Sequence, residues 1–197
     1  MARSPRVPRT SVHFGGPIVG IDVETACPDR GAVCAIGVSV VRAGEVFREQ
    51  HWYLDPRTRF DPRFIDIHGI TPDRVAGLPS LREAWRDVCG FIDQSIAAWQ
   101  PPALFADAAP SGPAPLFVAH NAQFDRSQIE HGIACALPFR LACTVAMSRR
   151  AFPELPRHNL KSVTAHLRIP LQHHDALSDA RASAIIAHQC MVRGAGA

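Results

Sequence analysis

Pro17–Thr25 reads P-I-V-G-I-D-V-E-T, a short apolar run that ends on two carboxylates, Asp22 and Glu24, two positions apart. Side chains of a strand alternate faces, so positions i and i+2 point the same way and these two acids stand side by side. Like charges that close repel, and one of them stays protonated unless a cation lies between them. Alone, a D-x-E of this kind also fits a solvated strand end, because short patterns arise often by chance. The choice between the two readings rests on what the remaining chain sets opposite the pair.

Working outward, 197 residues suffice for one domain with a sizeable core. The balance of 47% hydrophobic and 20% charged residues is that of a globular chain. Apolar runs such as Ala32–Val41 fall short of the ~20 residues that cross a bilayer, so no membrane segment is expected. The start, M-A-R-S-P-R-V-P-R-T, carries Arg3, Arg6 and Arg9 with no apolar stretch behind them. Residues 1–16 are therefore expected to form a basic, disordered tail, not a secretory signal. The six cysteines (Cys27, Cys34, Cys89, Cys135, Cys143, Cys190) are scattered, with no C-x-x-C pair. They read as reduced core residues of a cytoplasmic protein, not as a disulfide framework or zinc site. A net charge of +3 leaves a somewhat basic surface and permits a polyanionic partner.

After the first strand, Pro28, Asp29 and Gly31 supply a turn, Ala32–Val41 a buried strand, Ala43-Gly44 a second turn and Glu45–Leu54 a third strand. These make an antiparallel meander. Phe64–Asp73 reads as irregular, with Thr71-Pro72 opening a small helix. Ser80 and Glu83 have capping-box spacing, and apolar positions from Leu81 to Trp99 repeat with helical period. Gln100–Pro115 is rich in proline and reads as an inserted loop. Leu116–Ala119 is a short buried strand, followed by a helix from Ala122 to about Cys135, a strand at Phe139–Cys143 and a short helix to Ala151 capped by Thr144. A helix at Leu160–Leu167 comes next, and Asp175 caps a last one from Ala176 to about Val192.

Two further acids fall in first helical turns, Asp125 after Asn121 and Asp179 after Asp175, where unpaired N–H groups and the helix dipole favour negative charge. Singly, each is compatible with an ordinary helix-start acid. His174 lies five residues before Asp179. On a continuous helix they would diverge; with Asp175 as cap, His174 sits in the preceding loop and is free to turn back toward the same centre. A lone loop histidine is more often a surface residue, so the weight lies in the combination.

At I-D-V-E-T, H-N-A-Q-F-D and H-D-A-L-S-D-A the chain resembles the DEDDh group of 3′–5′ exonucleases, the DnaQ-like family that includes the proofreading ε subunit of bacterial DNA polymerase III and RNase T. The segment I-H-G-I-T at Ile67–Thr71 is similar too, and the resemblance covers Pro17–Met191. It implies an α/β, RNase H-like fold: a five-stranded mixed sheet, three antiparallel strands then two parallel, flanked by helices, here within residues 17–193. It further implies that Asp22, Glu24, Asp125 and Asp179 ligate two divalent ions, Mg²⁺ or Mn²⁺, with His174 as general base. Such ions hold the attacking water and the leaving 3′ oxygen; hard cations call for oxygen ligands, and an imidazole accepts a proton near neutrality. By the same resemblance Thr25 and His68 lie by the terminal nucleoside, and Asn121 and Phe124 shape its pocket, although Phe124 equally suits a core position. Arg126, Arg157, His158 and Lys161 are candidate phosphate contacts. One departure stands out: Thr25 is followed by Ala26-Cys27-Pro28, where many relatives have a glycine.

The expected activity is release of 5′-mononucleotides from a single-stranded or frayed DNA 3′ end. The H-G-I-T segment favours DNA, whereas D-V-E-T-A also resembles RNase T and keeps RNA trimming open. A non-catalytic nucleic-acid-binding module that accompanies a polymerase is the reading of another class. The chain ends within about five residues of the last helix, which suits a stand-alone nuclease, possible homodimer contacts included, better than a polymerase-held subunit.

Overall fold

In the computed structural model, which describes residues 15–98 and 113–194, strand β1 (Ile18–Thr25) divides its side chains between two interiors. Val19, Ile21 and Val23 face one core with helices α3 (Leu81–Ala97) and α4 (Ala122–Ile133). Ile18 joins a second core built with α5 (Thr144–Ala151), α6 (Leu160–Leu167) and α7 (Ala176–Val192). The sheet is thus the middle of three layers, as an apolar strand buried on both faces requires.

The strand order is β3-β2-β1-β4-β5, with β2 at Val33–Arg42, β3 at Glu45–Tyr53, β4 at Leu116–Ala119 and β5 at Leu141–Cys143. β1, β2 and β3 pair antiparallel, as the short turns between them dictate, while β4 and β5 run parallel to β1. This is the five-stranded mixed sheet that the resemblance implies.

α7 lies directly on β1 and β2 because two glycines open the way. A Cβ on Gly20 would overlap the Ala180 carbonyl oxygen, and one on Gly37 the backbone of Ala176 and Leu177. The helix is pinned sideways by Arg181, whose Nε and Nη2 donate to the two Glu49 oxygens of β3 at 2.8 and 2.7 Å.

Local signals hold at most ends. Ser80 and Glu83 form the capping box of α3, and the Asp175 carboxylate accepts the Ser178 N–H at 2.8 Å. Elsewhere the structure corrects the sequence reading. Of Phe64–Asp73, expected to be irregular, the first part belongs to helix α1 (Pro62–His68): Asp61 caps it, Pro62 opens it and Gly69 closes it at φ 72. Thr71-Pro72 does open a short helix, α2 (Pro72–Val75). Thr144 begins α5 without capping it, its hydroxyl instead meeting His120 Nδ1 at 2.9 Å. The cysteines are unpaired, but Cys135 is exposed, not core. The end of the α3 reading at Trp99, the tail at 1–16 and the loop at 100–115 lie outside the described residues, apart from 15–16 and 113–115.

Candidate active site

Positions 20, 22 and 24 share one face of β1, so the face that Gly20 clears for α7 is the one that carries Asp22 and Glu24. Asp179, beside Ala180 in the first turn of α7, is brought to them by that close approach. Ligand oxygens of Asp22, Glu24 and Asp179 all lie within 4.8 Å of one another. Oδ2 of Asp179 accepts from His173 Nδ1 at 3.0 Å and from the His174 N–H at 3.3 Å, while its Oδ1 is buried with no hydrogen-bond partner.

Asp125 is near enough to this trio for its charge to raise both Asp22 and Glu24. It enters from the first turn of α4, after Asn121 in left-handed conformation at φ 74. The residue is 2% exposed; Oδ1 accepts the Val23 N–H at 3.3 Å, and Oδ2 is buried without a partner.

Burial first, then the charges of Asp125, Asp179 and Glu24, push the Asp22 carboxyl well above the usual carboxylate range. Glu24 is raised to about 8 by burial, then by Asp179 and Asp125. Burial likewise lifts Asp125 to about 7 against the lowering effect of its backbone hydrogen bonds, and it raises Asp179 despite the His173 contact. Such a concentration of acid is costly unless cations share it. The donors are all oxygens, which suits a hard divalent ion, and the two orphaned buried oxygens, on Asp125 and Asp179, are what an ion would satisfy. The residues present therefore fit a divalent metal centre.

His174 lies before the Asp175 cap at φ 66, and its ring stacks on that of His173 at 3.9 Å between centroids. Its pKa is lowered by burial, then by His173 and His68. His173 is absent from the residues that the sequence points to; adjacency to His174 is its only local sign.

His68 ends α1 at the bulge where the β1 register shifts between Glu24 and Thr25. Its Nδ1 accepts the Ile70 N–H at 3.0 Å, so Nε2 carries the proton and donates to the Thr25 carbonyl at 3.1 Å. In the turn that departs from the glycine of relatives, Cys27 is buried and the Ala26 backbone before it is tied to Ala32 and Asp61. Phe124 is 43% exposed, which removes the core reading. Among the phosphate candidates, Arg126 is paired with Glu130 at 3.0 Å and the His158 ring with Ser148 at 3.1 Å. Arg157 is exposed, and Lys161 lines a cleft of about 540 Å³ together with His173 and His174.

Against known proteins, the model of the RNase T family, described as exonuclease, matches residues 19–106 and 112–187. DNA polymerase III PolC-type of Clostridium perfringens is 26% identical over 179 residues, 88% of this chain and 11% of that protein. The Thermotoga maritima counterpart is 27% identical over 173 residues, 84% of this chain and again 11% of its own length. The chain thus spans about a tenth of these relatives. Among solved structures, exonuclease X in complex with 5′ overhanging duplex DNA superposes with a TM-score of 0.64 at 23% identity, covering 88% of this chain and 90% of that one. The nuclease domain of 3′hExo, a DEDDh family member bound to rAMP, gives 0.65 at 16% identity, covering 91% and 92%. Both likenesses concern the fold.

Proposed function

This chain belongs to the RNase T family of exonucleases, the DnaQ-like 3′–5′ enzymes, and on that premise we propose that it hydrolyses single-stranded or frayed DNA from its 3′ end, releasing 5′-mononucleotides. The observation that carries the reading is the convergence of Asp22, Glu24 and Asp179 within 4.8 Å, with the charge of Asp125 acting on Asp22 and Glu24. A scaffold with no chemistry to perform would not keep buried, mutually repelling acids.

In this reading the four carboxylates hold two divalent ions, Mg²⁺ or Mn²⁺, which when bound neutralise the phosphate and acidify water. His174 accepts the proton of the attacking water; its depressed pKa keeps the imidazole neutral and able to do so. Oδ2 of Asp179 is fixed by two donors, His173 Nδ1 and the His174 N–H, which leaves Oδ1 for a cation. The proton on His68 Nε2 orients the Thr25 carbonyl beside the terminal nucleoside. Phe124 offers its exposed ring to a base, a contact that tolerates any sequence. DNA is favoured by relatives that are DNA polymerases and by the I-H-G-I-T segment.

The test is hydrolysis of 3′-labelled single-stranded DNA, of duplex with mismatched ends and of RNA, with Mg²⁺, Mn²⁺ or EDTA. Stepwise mononucleotide release that needs metal and is lost in His174→Ala and Asp179→Asn is expected. Equal activity in EDTA overturns the reading, and faster cleavage of RNA transfers it to RNA trimming.

A further inference from the structure

We propose that His173, His174 and Asp179 form a second metal site, selective for zinc-class ions, whose filling shuts off the exonuclease centre. One ligand atom from each of the three lies within 4.8 Å of the others, a grouping that shares only Asp179 with the Asp22, Glu24 and Asp179 trio. Two imidazoles and one carboxylate suit Zn²⁺, which takes nitrogen readily, and suit Mg²⁺ poorly.

His173 Nδ1 and Asp179 Oδ2 are 3.0 Å apart, bridged by a proton. At the tetrahedral angle, zinc bonds of about 2.0–2.2 Å set neighbouring ligands about 3.4 Å apart, a few tenths of an ångström more than this pair. An ion therefore replaces that proton with little movement of either atom, and the proton leaves to solvent. A ring nitrogen of the stacked His174 already lies within 4.8 Å of the other two ligand atoms. Both imidazoles are exposed, so an ion reaches them from the cleft that Lys161 and Thr164 also line. The same carboxylate ties the two sites together: Oδ1 of the 4% exposed Asp179 has no partner and is the oxygen left for the catalytic ion, so an ion on Oδ2 draws charge from a ligand of the exonuclease centre. Zinc here ties up the His174 lone pair that would accept the water's proton, and it takes a carboxylate that the catalytic centre shares.

The experiment strips the full-length protein of metal, adds excess Mg²⁺ and titrates zinc chloride against a chromophoric chelator. One zinc per chain is expected, with affinity at least tenfold weaker in His173→Ala; unchanged affinity overturns the proposal. Co²⁺ in place of zinc gives the spectrum of nitrogen and oxygen donors in the wild type, and a thiolate charge-transfer band overturns the assignment by placing the ion on cysteine. In the nuclease assay, zinc slows nucleotide release, and His173→Ala needs at least tenfold more zinc for equal slowing. Equal sensitivity of the two proteins counts against it. The binding and spectral readings do not depend on nuclease activity, so this inference fails or stands separately from the proposed function.

Discussion

Asp125 illustrates at the residue scale how one group serves function against stability. It is 2% exposed, its Oδ2 faces no donor, and its charge adds to the burden on Asp22. Asp125→Asn keeps the shape and removes the charge. The metal-free variant is expected to melt a few degrees higher, the shift that about 1 kcal/mol makes in a chain of this size. Its nuclease activity should fall at least about 100-fold, since loss of a mere outer-shell partner of a metal already costs up to that much. Calorimetry beside the 3′-label assay checks both, and lower stability in EDTA would remove the electrostatic account. Phe124 is the converse case. At 43% exposure it contributes little to the core, so Phe124→Ala should leave the melting temperature within a degree or two. Loss of one base stack, about 1–3 kcal/mol, should raise KM for single-stranded DNA roughly 5- to 150-fold. An unchanged KM would place the substrate elsewhere.

Among the elements, α7 positions the site, and its distance from β1 is the sensitive quantity. Gly20→Ala drives a methyl into the Ala180 carbonyl, one residue from Asp179, with no flexible side chain to give way. A loss of about 1–3 kcal/mol in urea denaturation is expected, with nuclease activity falling more steeply than the folded fraction. Gly90, inside α3, is the contrast, because nothing lies within 4 Å of an added Cβ. Gly90→Ala should stabilise by about 0.5–1 kcal/mol and leave activity alone. The same two positions mark how far the sequence could be read. The capping box of α3 and the Asp175 cap of α7 are short-range patterns, and both stand as read. So does the alternation of β1, because its faces differ in composition. Asp61, Pro62 and Gly69 mark the ends of helix α1, but with no buried residue it carries no apolar period. Thr144 looked like a cap and is a partner of His120, a contact 24 residues away that no local rule anticipates. His173 escaped for a related reason: its bond to Asp179 depends on the left-handed turn at His174, which bends the loop back over the helix start.

For the molecule as a whole, the buried acids and the histidines pull stability in opposite directions with pH, and the two windows separate. In the folded chain Asp125 is raised from 3.8 to about 7 and Glu24 from 4.5 to about 8. The folded state therefore holds protons that the unfolded chain has released, so these groups cost stability as pH rises through those folded values. His120 is lowered from 6.5 to about 4 by burial, and His51, His68 and His174 are lowered as well. These bind protons better when unfolded, so their effect on stability improves as pH climbs toward 6.5 and ends there. Below that point the two sets oppose each other; above it only the carboxylates still titrate. The metal-free protein is accordingly expected to lose melting temperature between pH 6.5 and about 8. A divalent ion binds the ionised carboxylates of the folded state alone and stabilises by mass action. Mg²⁺ or Mn²⁺ should thus flatten the alkaline decline and raise the melting temperature more at pH 8 than at pH 6. Asp125→Asn in EDTA should show a shallower decline, because one of the titrating groups is gone. Calorimetric scans of both proteins across this range, with EDTA and with Mg²⁺, make the comparison. A wild-type melting temperature that stays level above pH 6.5 in EDTA would mean that another charge already balances the acids, and the case for a cation at their centre would lose its electrostatic ground.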